Sequence, residues 1–150
     1  AGVVVGLGGV AAHVLCKLPR DAEGYMGRLR CVQEISAVTA ACMMVKTSVF
    51  KAVGGFDEEL KVAFNDIDLC MKVRKYGVKI VFTPYAELYH YESKSRGSDK
   101  KDERALRYQQ ESDRFRVKWA DALTKGDPYY NPNFSLDHSD FTVNWKKPKQ

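Results

Sequence analysis

Long apolar runs are missing from these 150 residues. No stretch approaches the roughly 18 uninterrupted apolar residues that a membrane-crossing helix needs. No basic segment leads into an apolar one at the start, so nothing there reads as a secretory signal. The chain opens on Ala1-Gly2-Val3 without a Met, as expected of a segment cut from something longer. The four cysteines, Cys16, Cys31, Cys42 and Cys70, include no C-x-x-C pair, which removes the zinc-ribbon class. Cys42 and Cys70 stand in apolar contexts and read as core thiols in a reduced, cytoplasmic setting. There is no internal repeat and no low-complexity tract. Basic charge is not clustered: 24 Lys and Arg are mixed with 19 Asp and Glu, for a net charge of +5. With no recognised motif beside it, that charge argues against a nucleic-acid binder.

What is present is an ordinary globular composition, 45% hydrophobic and 29% charged, long enough for one domain with a core. Val3-Val4-Val5 is a β-branched apolar run and reads as a strand within 2–6. The G-L-G-G-V-A-A after it imitates a dinucleotide fingerprint. That fingerprint needs a long helix next, and Pro19 comes too soon. A glycine-rich loop is the better reading. Residues 36–46, S-A-V-T-A-A-C-M-M-V-K, are nearly continuously apolar and predict a buried central strand. Thr47 or Ser48 then caps a short helix that Gly54 and Gly55 end. A helix is predicted over 64–76 with Gly77 as its stop. Strands are predicted in V-K-I-V-F-T-P and A-E-L-Y-H-Y-E, followed by the polar loop S-K-S-R-G-S-D-K-K. From about 99 to 125 runs one amphipathic helix, with Tyr108, Phe115, Trp119 and Leu123 on one stripe and Gly126 at its end. The aromatic, proline-bearing end from Asp127 forbids long regular elements and suits a tail laid against the domain. Alternating strands and helices make this an α/β chain with an incomplete sheet of about four strands.

Within the 64–76 helix stands Asn65-Asp66-Ile67-Asp68. A D-x-D of this spelling holds a metal where both acids converge on a loop. On a helix they lie about 200° apart and do not converge. Asp68 falls on the side of Lys72, four residues on, in good order for a surface ion pair. Asn65 suits an N-cap, and acids in the first turn complement the helix dipole. Asp66 falls on the inward side, where a carboxylate needs a partner, a cleft or a task.

The run from Val38 to Gly97 resembles the C-terminal half of a family 2 glycosyltransferase of the GT-A fold. G-G-F-D-E, then N-D-I-D-L-C-M-K-V-R-K-Y-G, then P-x-A-x-L-x-H-x-E-S-x-S-R-G occur in order and at the expected spacing. The long helix and D-P-Y-Y-N-P-N-F-S-L resemble the rhamnosyltransferase-like, polysaccharide-building members. The resemblance implies transfer of a sugar from a nucleoside-diphosphate sugar to a glycan or lipid-linked acceptor, with inversion. It implies that Asp66 is the base, and that a divalent metal (Mn²⁺ or Mg²⁺) serves the intact enzyme. His90 is its candidate ligand, weighed against a locally bonded histidine between Tyr89 and Tyr91. Arg96, Ser93 and Ser95 are candidates for binding the diphosphate. Phe56 and Asp57 read as loop-shaping, His13 and His138 as surface residues.

The resemblance also divides the chain: residues 1–97 as the acceptor and base half, 98–126 as the long helix, 127–150 as a tail that packs on the domain or is partly disordered. The family's nucleotide-binding half and its own metal D-x-D are expected elsewhere, so these residues are expected to be inactive by themselves and to self-associate through exposed sheet surface. Trp145, Lys146 and Lys147 could touch the inner face of an anionic membrane, though a disordered end is the plainer reading. The alternative function is a non-catalytic module of the same fold that binds a carbohydrate or a partner.

Overall fold

The computed structural model describes residues 2–88 and 101–145. It is a small α/β arrangement of two short antiparallel sheets and four helices among those residues. Strands β1 (Val3–Val5) and β2 (Ala11–His13) form a hairpin with Val4 opposite Ala12. Its connection turns through Gly6, Gly8 and Gly9 at φ 98°, 64° and 80°. Residues with a Cβ adopt such angles at a cost, so this is where the glycine-rich run is required. A strand follows these glycines where a dinucleotide site would place a helix.

All three valines of β1 are buried, because both faces of the strand are covered. Val3 and Val5 point into the main core with Leu60, Phe64, Ile67, Cys70 and Phe115. Val4, on the opposite face by the period of two, packs with Leu7, Val14, Tyr130 and Phe141 of the tail. The tail therefore serves as the second layer over β1. Asp127 pins it there, its Oδ2 accepting the N–H of Val5 at 2.8 Å. Tyr25 stacks on Phe141 with centroids 5.0 Å apart, and Phe134 meets Phe141 edge-on at 5.4 Å.

Residues 36–46 do not form the expected central strand. Ala37 bridges Val3, and the chain then turns into a 3₁₀ segment, Ala40–Cys42. Side chains take the backbone groups a ladder would need. Thr39 Oγ1 accepts from Ala41 N at 3.3 Å and Asp66 Oδ2 from Ala40 N at 3.0 Å. Cys42 is exposed, against expectation, whereas Cys70 is buried as expected. Strands β3 (Gln33–Glu34) and β4 (Val81–Phe82) pair antiparallel, and the predicted 78–84 strand is reduced to β4. Residues 86–88 are not a strand, and the rest of that predicted element lies outside the described residues.

Helix α1 is Thr47–Ala52. Its N-cap is Lys46, without a side-chain cap. Helix α2 is Asn65–Lys75, entered through Phe64 at φ 62°, and Asn65 does not cap it. Asn65 Oδ1 instead accepts from the N–H of Asp66 at 2.7 Å. Gly77 at φ 93° ends α2 as predicted. The N–H of Gly77 reaches Arg74 O and that of Val78 reaches Val73 O, a Schellman closure. Tyr76, the C-cap of α2, is exposed.

The predicted long helix is two helices, α3 (Lys101–Lys118) and α4 (Ala120–Lys125). Trp119 leaves helical angles at φ −115°, ψ 25°, yet its N–H still bonds Phe115 O at 3.0 Å. The chain kinks there without losing its ladder. Phe115 is fully buried and Trp119 and Leu123 pack on the same core. Tyr108 meets Phe64 at 5.5 Å while remaining half exposed.

Candidate functional site

The first turn of α2 carries both acids of interest, and the structure reverses their expected exposure. Asp68 is completely buried and Asp66 is half-buried. On an isolated helix the lysine side faces water. Here the end of α3 lies over that side and brings Lys118 and Trp119 with it. Asp68 Oδ1 accepts from Trp119 Nε1 at 2.9 Å and lies 2.7 Å from Lys118 Nζ. Its Oδ2 lies 3.2 Å from Lys72 Nζ, an ion pair without hydrogen-bond alignment. The predicted Asp68–Lys72 pair therefore forms, but in the interior.

Lys118 also donates to Asp57 Oδ2 at 2.7 Å, and Lys72 donates to Gly55 O. Four alternating charges, Asp57, Lys118, Asp68 and Lys72, thus tie the G-G-F-D-E loop to α2 and α3. The hydrogen bond from Lys118 holds the Asp57 carboxyl below its ordinary range, against the opposing effect of burial. Burial pulls the Lys118 ammonium down, and its bonds to Asp57 and Asp68 outweigh this and leave it raised. Arg114 adds ion pairs to Asp57 and Glu59. Within its own loop, Asp57 Oδ1 accepts from the N–H of Glu59 at 3.0 Å. Phe56 is exposed and edge-on to Phe50 at 5.5 Å.

Asp66 is held differently. Its Oδ2 accepts from Ala40 N at 3.0 Å and its Oδ1 from Ile67 N at 2.9 Å. Each oxygen has one backbone donor, and a carboxylate offers about four lone-pair sites, so capacity remains for an incoming hydroxyl. The two acids turn to different partners, which does not suit a shared metal. Among the described residues no group of three or more His, Cys, Asp and Glu could hold a metal ion. Those residues leave out His90, the candidate ligand of the expected divalent cation. His90, Ser93, Ser95 and Arg96 lie outside the described residues, as do Lys146 and Lys147. His13 and His138 are exposed, as expected, and so is Trp145.

Sequence reasoning missed Glu111. It is buried on α3, with Oε1 accepting from Val62 N at 3.1 Å and Oε2 from Ala63 N at 2.6 Å. Its signal was an acid on the apolar stripe, three residues after Tyr108 and four before Phe115. Lys118 and the Trp119 indole were missed as well, because no local pattern pairs them with Asp68.

Residues 22–110 match the family described as "Glycosyltransferase like family 2". The chain belongs to that family. The family 2 chain is also 50% identical over 144 residues to "Uncharacterized protein y4gI" of Sinorhizobium fredii, covering 95% of this chain and 16% of that one. It is 36% identical over 141 residues to "O-antigen biosynthesis protein RfbC" of Myxococcus xanthus, covering 93% of this chain and 11% of that one. Over 62 residues, 41% of this chain and 20% of the relative, it is 37% identical to an N-acetylglucosaminyl-diphospho-decaprenol L-rhamnosyltransferase of Mycobacterium tuberculosis. The chain thus spans a small fraction of the length of the curated relatives it matches. No solved structure matches it significantly. No helix among the described residues is long and apolar enough to cross a membrane.

Proposed function

We propose that these residues form the acceptor-side, base-bearing portion of a GT-A-fold glycosyltransferase. It would move a sugar from a nucleoside diphosphate to a hydroxyl of a glycan or lipid-linked acceptor, with inversion, in the synthesis of cell-surface polysaccharide. The observation that carries the reading is Asp66: a half-buried carboxylate anchored on Ala40 N and Ile67 N at the start of α2, in a chain of glycosyltransferase family 2. Asp68 is unsuited to the same task, because Lys72, Lys118 and Trp119 occupy it in the interior. The printed names of two relatives, an O-antigen biosynthesis protein and a rhamnosyltransferase, support the polysaccharide setting.

In this mechanism the acceptor O–H gives its proton to an Asp66 carboxylate oxygen as its own oxygen bonds the anomeric carbon. The bond from that carbon to the diphosphate breaks, and its electron pair leaves on the phosphate oxygen. Attack opposite the leaving group inverts the centre. Two backbone N–H bonds hold the carboxylate in place before the acceptor arrives, which is the positioning that proton transfer rewards. Ser93, Ser95 and Arg96 belong to the proposal as ligands of the diphosphate. His90 belongs to it as a ligand of a divalent cation in the intact enzyme, and such a cation would stabilise charge on the leaving diphosphate. A cytoplasmic site at the inner face of the membrane fits a lipid-linked acceptor.

The test is Asp66→Asn in the polypeptide that carries out transfer. Turnover should fall by about 10²–10⁴-fold with the fold and donor affinity retained. Turnover near the wild-type rate would remove Asp66 as base.

A further inference from the structure

We infer that Glu111, through the turn it grips, is a positioning residue for Asp66; this rests on the reading of Asp66 as the base. Glu111 lies just past the residues matched to the family and on a different helix from the acids. Its two carboxylate oxygens take two consecutive backbone amides, Val62 N and Ala63 N, in the turn that leads into α2. The next residue is Phe64, whose backbone is left-handed at φ 62°, ψ 0°. Such an angle costs a residue bearing a Cβ and persists where its surroundings impose it. Those surroundings come from the same face of α3. The Phe64 ring lies 5.5 Å from Tyr108 and 5.4 Å from Phe115, one turn before and one turn after Glu111.

One face of α3 therefore holds both the amides before Phe64 and the ring of Phe64. Phe64 O in turn accepts the N–H of Asp68 at 2.8 Å, so the clamped residue is also the first acceptor of α2. Asp66 lies two residues beyond the clamp. Its carboxylate has to meet Ala40 N on a separate segment of chain, 26 residues earlier in sequence. The angle at which α2 starts decides whether it does. The chemistry also requires a carboxylate at 111. A glutamine amide has one acceptor oxygen, and its NH₂ would face the second N–H donor-to-donor.

Glu111→Gln is the test, made in the active polypeptide. Kcat should drop about 10- to 100-fold with KM for donor and acceptor nearly unchanged, because a small misplacement of the reacting group weakens the chemical step rather than binding. Hydrogen exchange should speed up at Val62 and Ala63, and also at Ala40 and Ile67, the amides that Asp66 holds. A residue that only supports the fold would lower thermal stability and leave kcat per folded molecule, and exchange at Ala40 and Ile67, as in the wild type; that result overturns the inference. If Glu111→Gln does not fold, Glu111→Asp keeps the charge on a shorter stem. In folded Glu111→Asp, faster exchange at Val62 and Ala63 with an unchanged kcat overturns the inference equally. Failure of the base reading shows separately, as retained turnover in Asp66→Asn, whereas exchange at Ala40 and Ile67 reports the Glu111 clamp without reference to turnover.

Discussion

Lys118 at the end of α3 and Asp68 in the first turn of α2 form an ion pair at 2.7 Å. The carboxylate is fully buried, and its position is set by a residue 50 places further along the chain. With Lys72 and Asp57 the charges alternate, so each buried or half-buried ion faces one of opposite sign. Charges withdrawn from water are costly unless paired in this way. The pair therefore joins the end of α3 to the first turn of α2, the turn that also carries Asp66.

Asp68→Ala should destabilise the protein strongly, because it leaves Lys72 and Lys118 facing each other without their shared anion. Removing one member of a buried pair costs about 3–5 kcal/mol. The lower end is expected here, since the Lys118 side chain remains 32% exposed and keeps Asp57. A urea unfolding midpoint equal to the wild type would contradict it.

Acid should loosen the same network through Asp57. The folded protein holds this carboxyl below its ordinary value near 3.8, chiefly by the Lys118 hydrogen bond. A depressed pKa contributes stability that is present above the unfolded value and lost as pH falls through the folded one. Asp57→Asn should therefore flatten the acid limb of the stability–pH curve below about pH 4. An acid limb of the same steepness in that variant would show that other carboxyls carry it.

Cys70 predicts the opposite limb. Burial pushes its thiol from 9.0 up to about 11. A raised pKa means that its stabilising share is complete below 9.0 and is lost as pH rises through about 11. The native protein should label at Cys16, Cys31 and Cys42, which are exposed, and at Cys70 after denaturant is added. Rapid labelling of Cys70 in the native state would contradict its burial.

Local patterns were legible where one residue's conformation decides the structure. Gly77 ends α2, Gly54 and Gly55 end α1, and Gly126 ends α4, each at positive φ. The valines of β1 and the docked aromatic tail were legible too, because apolar surface has to be covered by something. The strand predicted over 36–46 was not there, since Thr39 and Asp66 compete for its amides and hydrophobicity does not register that competition. The kink at Trp119 was likewise invisible in a periodic pattern that continues through it.

The sequence by itself determined that an acid pair opens a helix, that its two members diverge, and that the surrounding motifs are those of glycosyltransferase family 2. Helical geometry is local, so spacing suffices for the divergence. Which acid lies inside was decided by the tertiary structure. A helical wheel assigns the lysine side to water, but α3 covers that side and turns Lys72 and Lys118 into partners of a buried Asp68. Asp66 is left at the half-open start of α2, anchored by amides from its own turn and from Ala40. Burial is a property of what packs on a residue, and residues 50 positions away supply it here.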